Sequence, residues 1–206
     1  VALRTYSSDG VTDMAASVVP KTSMLPGMAK TATLSPGSHI IGLESYHATS
    51  VLKAKKFNQY AEEEGLIDIL SYREARGQND IAGKELYSRK AKTIVQVGDV
   101  VTSNALKPIG HTLEIVPLEH PYTLTSDTLS VQVLFKGKPL SNALIDALSL
   151  VDHNAREQAI TTDSEGKATF KFEVQGPVIL TTVWGVPLSS SAEADFETYF
   201  ASLTFE

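Results

Sequence analysis

The residues of this chain best suited to chemistry are five histidines and three methionines, because imidazole nitrogen and thioether sulfur both bind transition-metal ions. The histidines are His39, His47, His111, His120 and His153. None stands in H-x-H, H-x₃-H or HExxH spacing. His39 and His47 would share a face of a straight strand, but strand rise places them roughly 26 Å apart. One ion with bonds near ~2 Å cannot span that gap. His111 and His120 have Pro117 between them, so no local pair forms there. Any histidine site, from His39, His47, His111 or His120, must therefore be assembled across the fold. Met14, Met24 and Met28 are all the methionines, and they fall within 15 residues. With no Cys to compete, such thioethers suit a soft ion such as Cu(I). This segment with His39 or His47 is the expected soft-metal patch. The commoner role of such methionines is to fill gaps under an irregular edge.

Enzyme chemistry has less to stand on. There is no G-x-S-x-G elbow, P-loop or Gly-rich dinucleotide fingerprint. The carboxylate pairs Glu114/Glu119 and Asp163/Glu165 fit solvent-facing strand edges better than a glycosidase pair. Arg89, Lys90 and Lys92 with Arg73 and Arg76 read as a solvated basic face. The turn Asp163-Ser164-Glu165-Gly166 lacks the ligand series of a calcium loop and reads as a short hairpin connection. Without Cys there are no disulfides, thiolate sites or cysteine nucleophiles.

The elements that must position these residues follow from pattern. Ser35-Pro36-Gly37-Ser38 predicts a hairpin between Lys30–Leu34 and His39–His47. Phe57, Tyr60 and Ala61, then Leu66, Ile69 and Leu70, have helical spacing and predict two short helices over 53–76 that break at Gly65. Glu62, Glu63 and Glu64 would suit the first turn of the second helix. A strand with Ile94, Val95 and Val97 buried is expected next, followed by a linker at 98–110. From His111 onward, seven strand-like runs separated by turn residues predict a β-sandwich. Ala168, Phe170, Phe172 and Val174 alternate with Lys167, Thr169, Lys171 and Glu173, so one face of that strand should be buried. FETYFASLTF is the candidate exposed edge, whose apolar residues need a partner strand or a core. The fold class is therefore mainly β, with two sandwich-like parts. The first, residues 1–104, carries the helical insertion; the second, 105–206, is a seven-stranded transthyretin- or immunoglobulin-like sandwich.

The charge of −6 is uneven: residues 1–110 hold 13 basic and 11 acidic side chains, and residues 111–206 hold 5 and 13. The acidic second half argues against nucleic acid as a partner. No apolar run reaches the roughly 20 residues of a membrane span. The chain opens on Val1 without an initiator Met or a signal sequence, as a processed product or a trimmed chain would.

The stretch ITTDSEGKATFKFEVQGPVIL resembles transthyretin-like and carboxypeptidase-regulatory-like sandwich modules. FNQYAEEEGL, YSRKAKTIVQVG, GHTLEIVPLEHPYTL, DTLSVQVLFKGKPLSNALIDA and FETYFASLTF, in that order, resemble an uncharacterised bacterial family described as a periplasmic component of cobalt/nickel-type ABC transport. The resemblance covers residues 30–206. It implies a periplasmic or otherwise extracytoplasmic, two-part β-rich protein with no known reaction. Members begin with a His-bearing start of the mature chain, which has no match here. The expected function is a non-enzymatic binding or accessory protein handling Ni, Co or Cu, with the metal ion or a membrane transporter component as partner. The alternative is a cell-surface module that binds protein or glycan without metal.

Overall fold

Strands with one apolar face must bury it against another layer. The computed structural model, which describes residues 1–23, 27–31, 33–151, 156–172, 176–188 and 193–206, does so with two sheets. The first half of the chain supplies β1 (Ala2–Ser7), β2 (Gly10–Asp13), β3 (Gly37–Glu44), β4 (Ala48–Leu52) and β5 (Gly83–Val97). The second supplies β6 (Leu113–Pro117), β7 (Thr128–Phe135), β8 (Lys138–Pro139), β9 (Leu144–Ser149), β10 (Arg156–Thr161), β11 (Lys167–Lys171), β12 (Val178–Pro187) and β13 (Phe196–Phe205). All seven runs expected after His111 are strands, joined by the two-residue β8. The larger sheet has the order β10-β9-β12-β13-β5-β3-β1-β2, with β4 also on β5. The smaller has the order β11-β7-β6, with β8 beside β7. The protein is thus mainly β and sandwich-like, with a short helical insertion.

The alternation along β13 shows how the layers are arranged. Tyr199, Ala201, Leu203 and Phe205 face the smaller sheet, where they meet a core that includes Leu113, Ile115, Leu129, Val131 and Phe170. Phe196 points the other way, into a second core with Phe57, Ala61, Leu66, Ile69 and Val183. That second core lies under α1 (Ala54–Glu63) and α2 (Ile67–Ala75). Gly65 breaks the helices as expected. At φ +67° it lets its own N–H bond the carbonyl of Glu62 while the N–H of Leu66 bonds that of Ala61, the paired closure that favours glycine after a helix end. The helices come close to the sheet because two strand residues lack side chains. A Cβ on Gly83 would lie 2.3 Å from Phe57, and one on Gly185 2.3 Å from Ile69.

Several expectations are corrected. Lys30–Leu34 forms no strand among its described residues; β3 pairs instead with β1 and β5. FETYFASLTF is not an edge. It is β13, hydrogen-bonded to β12 on one side and parallel to β5 on the other. A strand buried on both faces and paired on both edges needs the apolar content that suggested an unmet edge. The Asp163–Gly166 turn is no hairpin, since β10 and β11 belong to different sheets; it is a corner of the sandwich. Asp163 shapes that corner by accepting the N–H groups of Glu165 and Lys167 at 2.8 and 2.9 Å, and those bonds, chiefly the one from Lys167, lower its pKa. Beyond the corner Ala168 and Phe170 are buried and Lys171 is exposed, as the alternation predicts; Glu173 and Val174 lie outside the described residues. On β5, Ile94 is buried but Val95 and Val97 are half-buried. Glu62 and Glu63 end α1, and Asp68 occupies the first turn of α2. The residues 104 and 105, where the two parts were to meet, fall inside a short 3-10 helix, Ser103–Leu106. The larger sheet runs across that point through the β5–β13 pairing.

The basic face is also corrected. Arg73, Lys90 and Lys92 are buried, whereas Arg89 is exposed and Arg76 lies over the ring of Tyr72. Arg73 packs 4.7 Å over Phe57 and donates to Asn58 Oδ1 and to the carbonyls of Gln78 and Ile81. Burial pulls its pKa down, and the Asp195 carboxylate opposes that shift.

Candidate functional site

The most chemically suggestive group surrounds His39, on β3. Its Nε2 donates to the carbonyl of Ser35 at 2.8 Å, so Nδ1 carries the lone pair. That Nδ1 is buried and has no hydrogen-bond partner among the described residues, and an unmet polar atom of this kind calls for an explanation. His39 lines a cavity of about 170 Å³ whose wall is rich in hydroxyls, including Thr5, Ser7, Thr12 and Thr33, together with Asp9. Asp9 Oδ2 accepts from Ser35 Oγ at 3.1 Å, which ties the carboxylate to the loop that also holds the imidazole. Thr5 links this cavity to Met14, because its hydroxyl donates to the Met14 sulfur at 2.8 Å. The β1–β3 register places Thr5 opposite Ile41, one alternation from His39 on the same face.

The structure thus brings Met14 and His39 to either side of Thr5, but it does not gather the other candidates. Met28 is 51% exposed, and its backbone bridges Val19. Met24 and His153 lie outside the described residues. His47 is exposed and contacts Glu197 at 3.0 Å. His111 and His120 pack on the opposite side of β3 from His39. Among the described residues no group of three or more His, Asp or Glu converges as a metal cage. The His39 cavity offers one free imidazole nitrogen and one carboxylate, with a thioether close by but engaged by Thr5. That donor set falls short of the three or four protein ligands usual for a zinc-like site.

His120 illustrates a constellation that resembles catalytic machinery and is not. Its Nε2 lies 2.8 Å from Ser38 Oγ. Its Nδ1, however, accepts the N–H of Tyr122 at 3.3 Å, so the proton sits on Nε2 and is donated to the serine. The serine proton goes to Gln96 Oε1 at 2.7 Å, and Thr102 N–H supplies a further donor. A general base must accept the nucleophile's proton; this imidazole, whose pKa burial lowers, gives one instead. Ser38 is itself buried.

A second buried group joins the two sheets, and sequence reasoning placed it wrongly. Glu114, expected at a wet strand edge, is buried instead. Its Oε1 meets Lys92 Nζ at 2.8 Å, with both side chains 1% exposed. The same carboxylate accepts the N–H groups of Ile109, Gly110 and His111 at 2.7, 3.0 and 3.1 Å. Burial pulls the Lys92 pKa down, and Glu114 opposes that shift. His111 beside it is also held below its ordinary value, mainly by burial, and its Nδ1 has no partner. Next along β5, Lys90 pairs with Glu44, whose carboxyl that hydrogen bond lowers. His111 and Glu114 line an open cleft of about 450 Å³. The signal available in the sequence was alternation: Lys90, Lys92 and Ile94 share a strand face, so one buried residue there implies its neighbours.

A model of the family described as "Domain of unknown function (DUF4198)" matches residues 7–185. No curated protein and no solved structure matches the chain.

Proposed function

Since the chain belongs to this family of unknown function, its chemistry has to be argued from its own residues, and we propose that it is a non-enzymatic binding or accessory protein that handles a transition-metal ion (Ni, Co or Cu) outside the cytoplasm, in company with a membrane transporter component. The observation that carries the reading is the buried, unpartnered Nδ1 of His39 beside Asp9 and the Thr5–Met14 contact. A neutral imidazole nitrogen is the commonest protein ligand for such ions. A site with few protein donors leaves coordination positions open, which suits an ion that is passed on rather than kept as a structural staple. The earlier resemblance to cobalt/nickel transport components and to transthyretin-like modules points the same way.

The test is a thermal shift series with Ni, Co, Cu and Zn on the intact chain and on His39→Gln, with elemental analysis of protein purified without chelator. A specific ion stabilises the native state it binds, so the melting temperature of the wild type should rise and that of the variant should not. No shift with any ion, and no metal carried through purification, would end the metal reading.

A second reading, a protein- or glycan-interaction module, is favoured by the sheet's free edge. Among the described residues β2 pairs with β1 alone, and its Val11 is 61% exposed. Val18, Val19 and Met28 are also exposed nearby in the chain. Edges of this kind accept an added strand.

A further inference from the structure

We propose that Lys92 and Glu114 are the site of an intramolecular amide cross-link, formed by loss of water from the buried pair and joining the two sheets covalently. The reacting groups are already in contact: Nζ lies 2.8 Å from Oε1, each side chain is shielded from water, and one residue stands on β5 while the other stands on β6. Holding two groups in such contact removes the entropic barrier of a bimolecular condensation. Condensation requires the neutral amine and carboxylic acid, reached when the ammonium passes one proton to the carboxylate along their 2.8 Å contact; shielding from water disfavours the two full charges.

The atoms balance without an oxidant, reductant or second substrate. The lone pair of Lys92 Nζ forms a bond to Glu114 Cδ, giving a tetrahedral carbon. The developing oxyanion is Oε2, which already accepts the N–H groups of Gly110 and His111 at 3.0 and 3.1 Å, while Oε1, beside Nζ and the N–H of Ile109, is the oxygen that leaves. Fixed donors aimed at a growing negative charge are the usual means of stabilising such an intermediate. The C–OH bond then breaks, a proton from the nitrogen joins the departing hydroxyl, and water leaves through the adjoining cleft, which Glu114 lines. His111 lines the same cleft as Glu114 and donates its own N–H to that carboxylate, and its buried Nδ1 has no hydrogen-bond partner among the described residues, which makes its imidazole the relay for that proton. A chain with no cysteine has no disulfide to staple its layers, and this bond would serve that purpose.

The experiment is intact-mass spectrometry of the purified chain under denaturing conditions. The wild type should be lighter than its sequence mass by one water, and protease digestion should release a branched peptide that joins the segments carrying Lys92 and Glu114. Lys92→Met and Glu114→Ala should each run at full sequence mass. Wild-type protein at full sequence mass overturns the proposal, and so does a water loss that maps to other residues. The wild-type measurement stands even where a variant fails to fold. Freshly made His111→Gln should lose water more slowly than the wild type; an unchanged rate removes His111 from the relay.

Discussion

At the scale of single residues, three buried groups decide how this protein responds to mutation and acid. Removing the Glu114 side chain leaves the buried Lys92 nitrogen without its partner, as ion pair or as amide, and three backbone N–H groups without their acceptor. Glu114→Ala is therefore expected to lose about 3–5 kcal/mol of stability in chemical denaturation; a loss within error of zero would mean the pair is wetter than it looks. His111 and His120 govern the mildly acidic range. Burial holds both below the ordinary histidine value of 6.5 in the folded protein. As pH falls through 6.5 the unfolded chain takes up protons before the folded one does. The unfolded state then binds more protons, so stability rises with pH and falls on acidification. Denaturant midpoints should drop between pH 7.5 and 5.5, and the drop should be shallower in a His111→Gln/His120→Gln double variant. The lowered carboxyl of Glu44 acts in a more acid window: its contribution is full above its unfolded value of 4.5 and is lost as pH falls through the folded one.

At the scale of elements, the helical insertion is held by close approach more than by its own helical tendency. Two helices of ten and nine residues are too short to persist alone in water. They persist because Phe57 and Ile69 settle over Gly83 and Gly185. Alanine at either glycine forces overpacking, with an expected cost of about 1–3 kcal/mol, read as a lowered denaturation midpoint and faster hydrogen exchange in 54–75. Arg73 ties the insertion to the chain that follows by donating to carbonyls of the 78–81 loop. Helix spacing and the Gly65 break were legible before the structure, because both are local. The burial of Arg73 was not, because a helical wheel shows which residues share a face but not how far the neighbouring sheet extends.

At the scale of the whole molecule, β13 is the hinge of the design. It pairs through ten residues with β12 and through nine with β5, so deleting residues 196–206 should strip each of those strands of one neighbour, split the larger sheet and open both cores. The truncated chain is expected to lack a cooperative unfolding transition by near-ultraviolet circular dichroism; retained cooperativity would show β13 to be peripheral. The intact chain should unfold in one transition, since the larger sheet takes strands from both sides of position 104/105. Two resolved transitions would show instead that the parts at 1–104 and 105–206 behave independently.

What the sequence determined by itself was whatever depends on near neighbours. Alternation marked the seven strands of the second half, helical spacing and Gly65 marked α1 and α2, and the missing thiols ruled out disulfides. The tertiary structure alone decided where those pieces meet. It made β13 a central strand in place of an edge, and turned the Asp163 corner from a hairpin into a crossing between sheets. It placed Lys92 against Glu114 and left His39 with a nitrogen no neighbour satisfies. The reason is physical: a side chain's periodicity records that it has a covered face, while the identity of the cover is set by strand order. Strand order arises from contacts between residues far apart in the chain, as Phe196 and Glu85 are, and no local pattern encodes them.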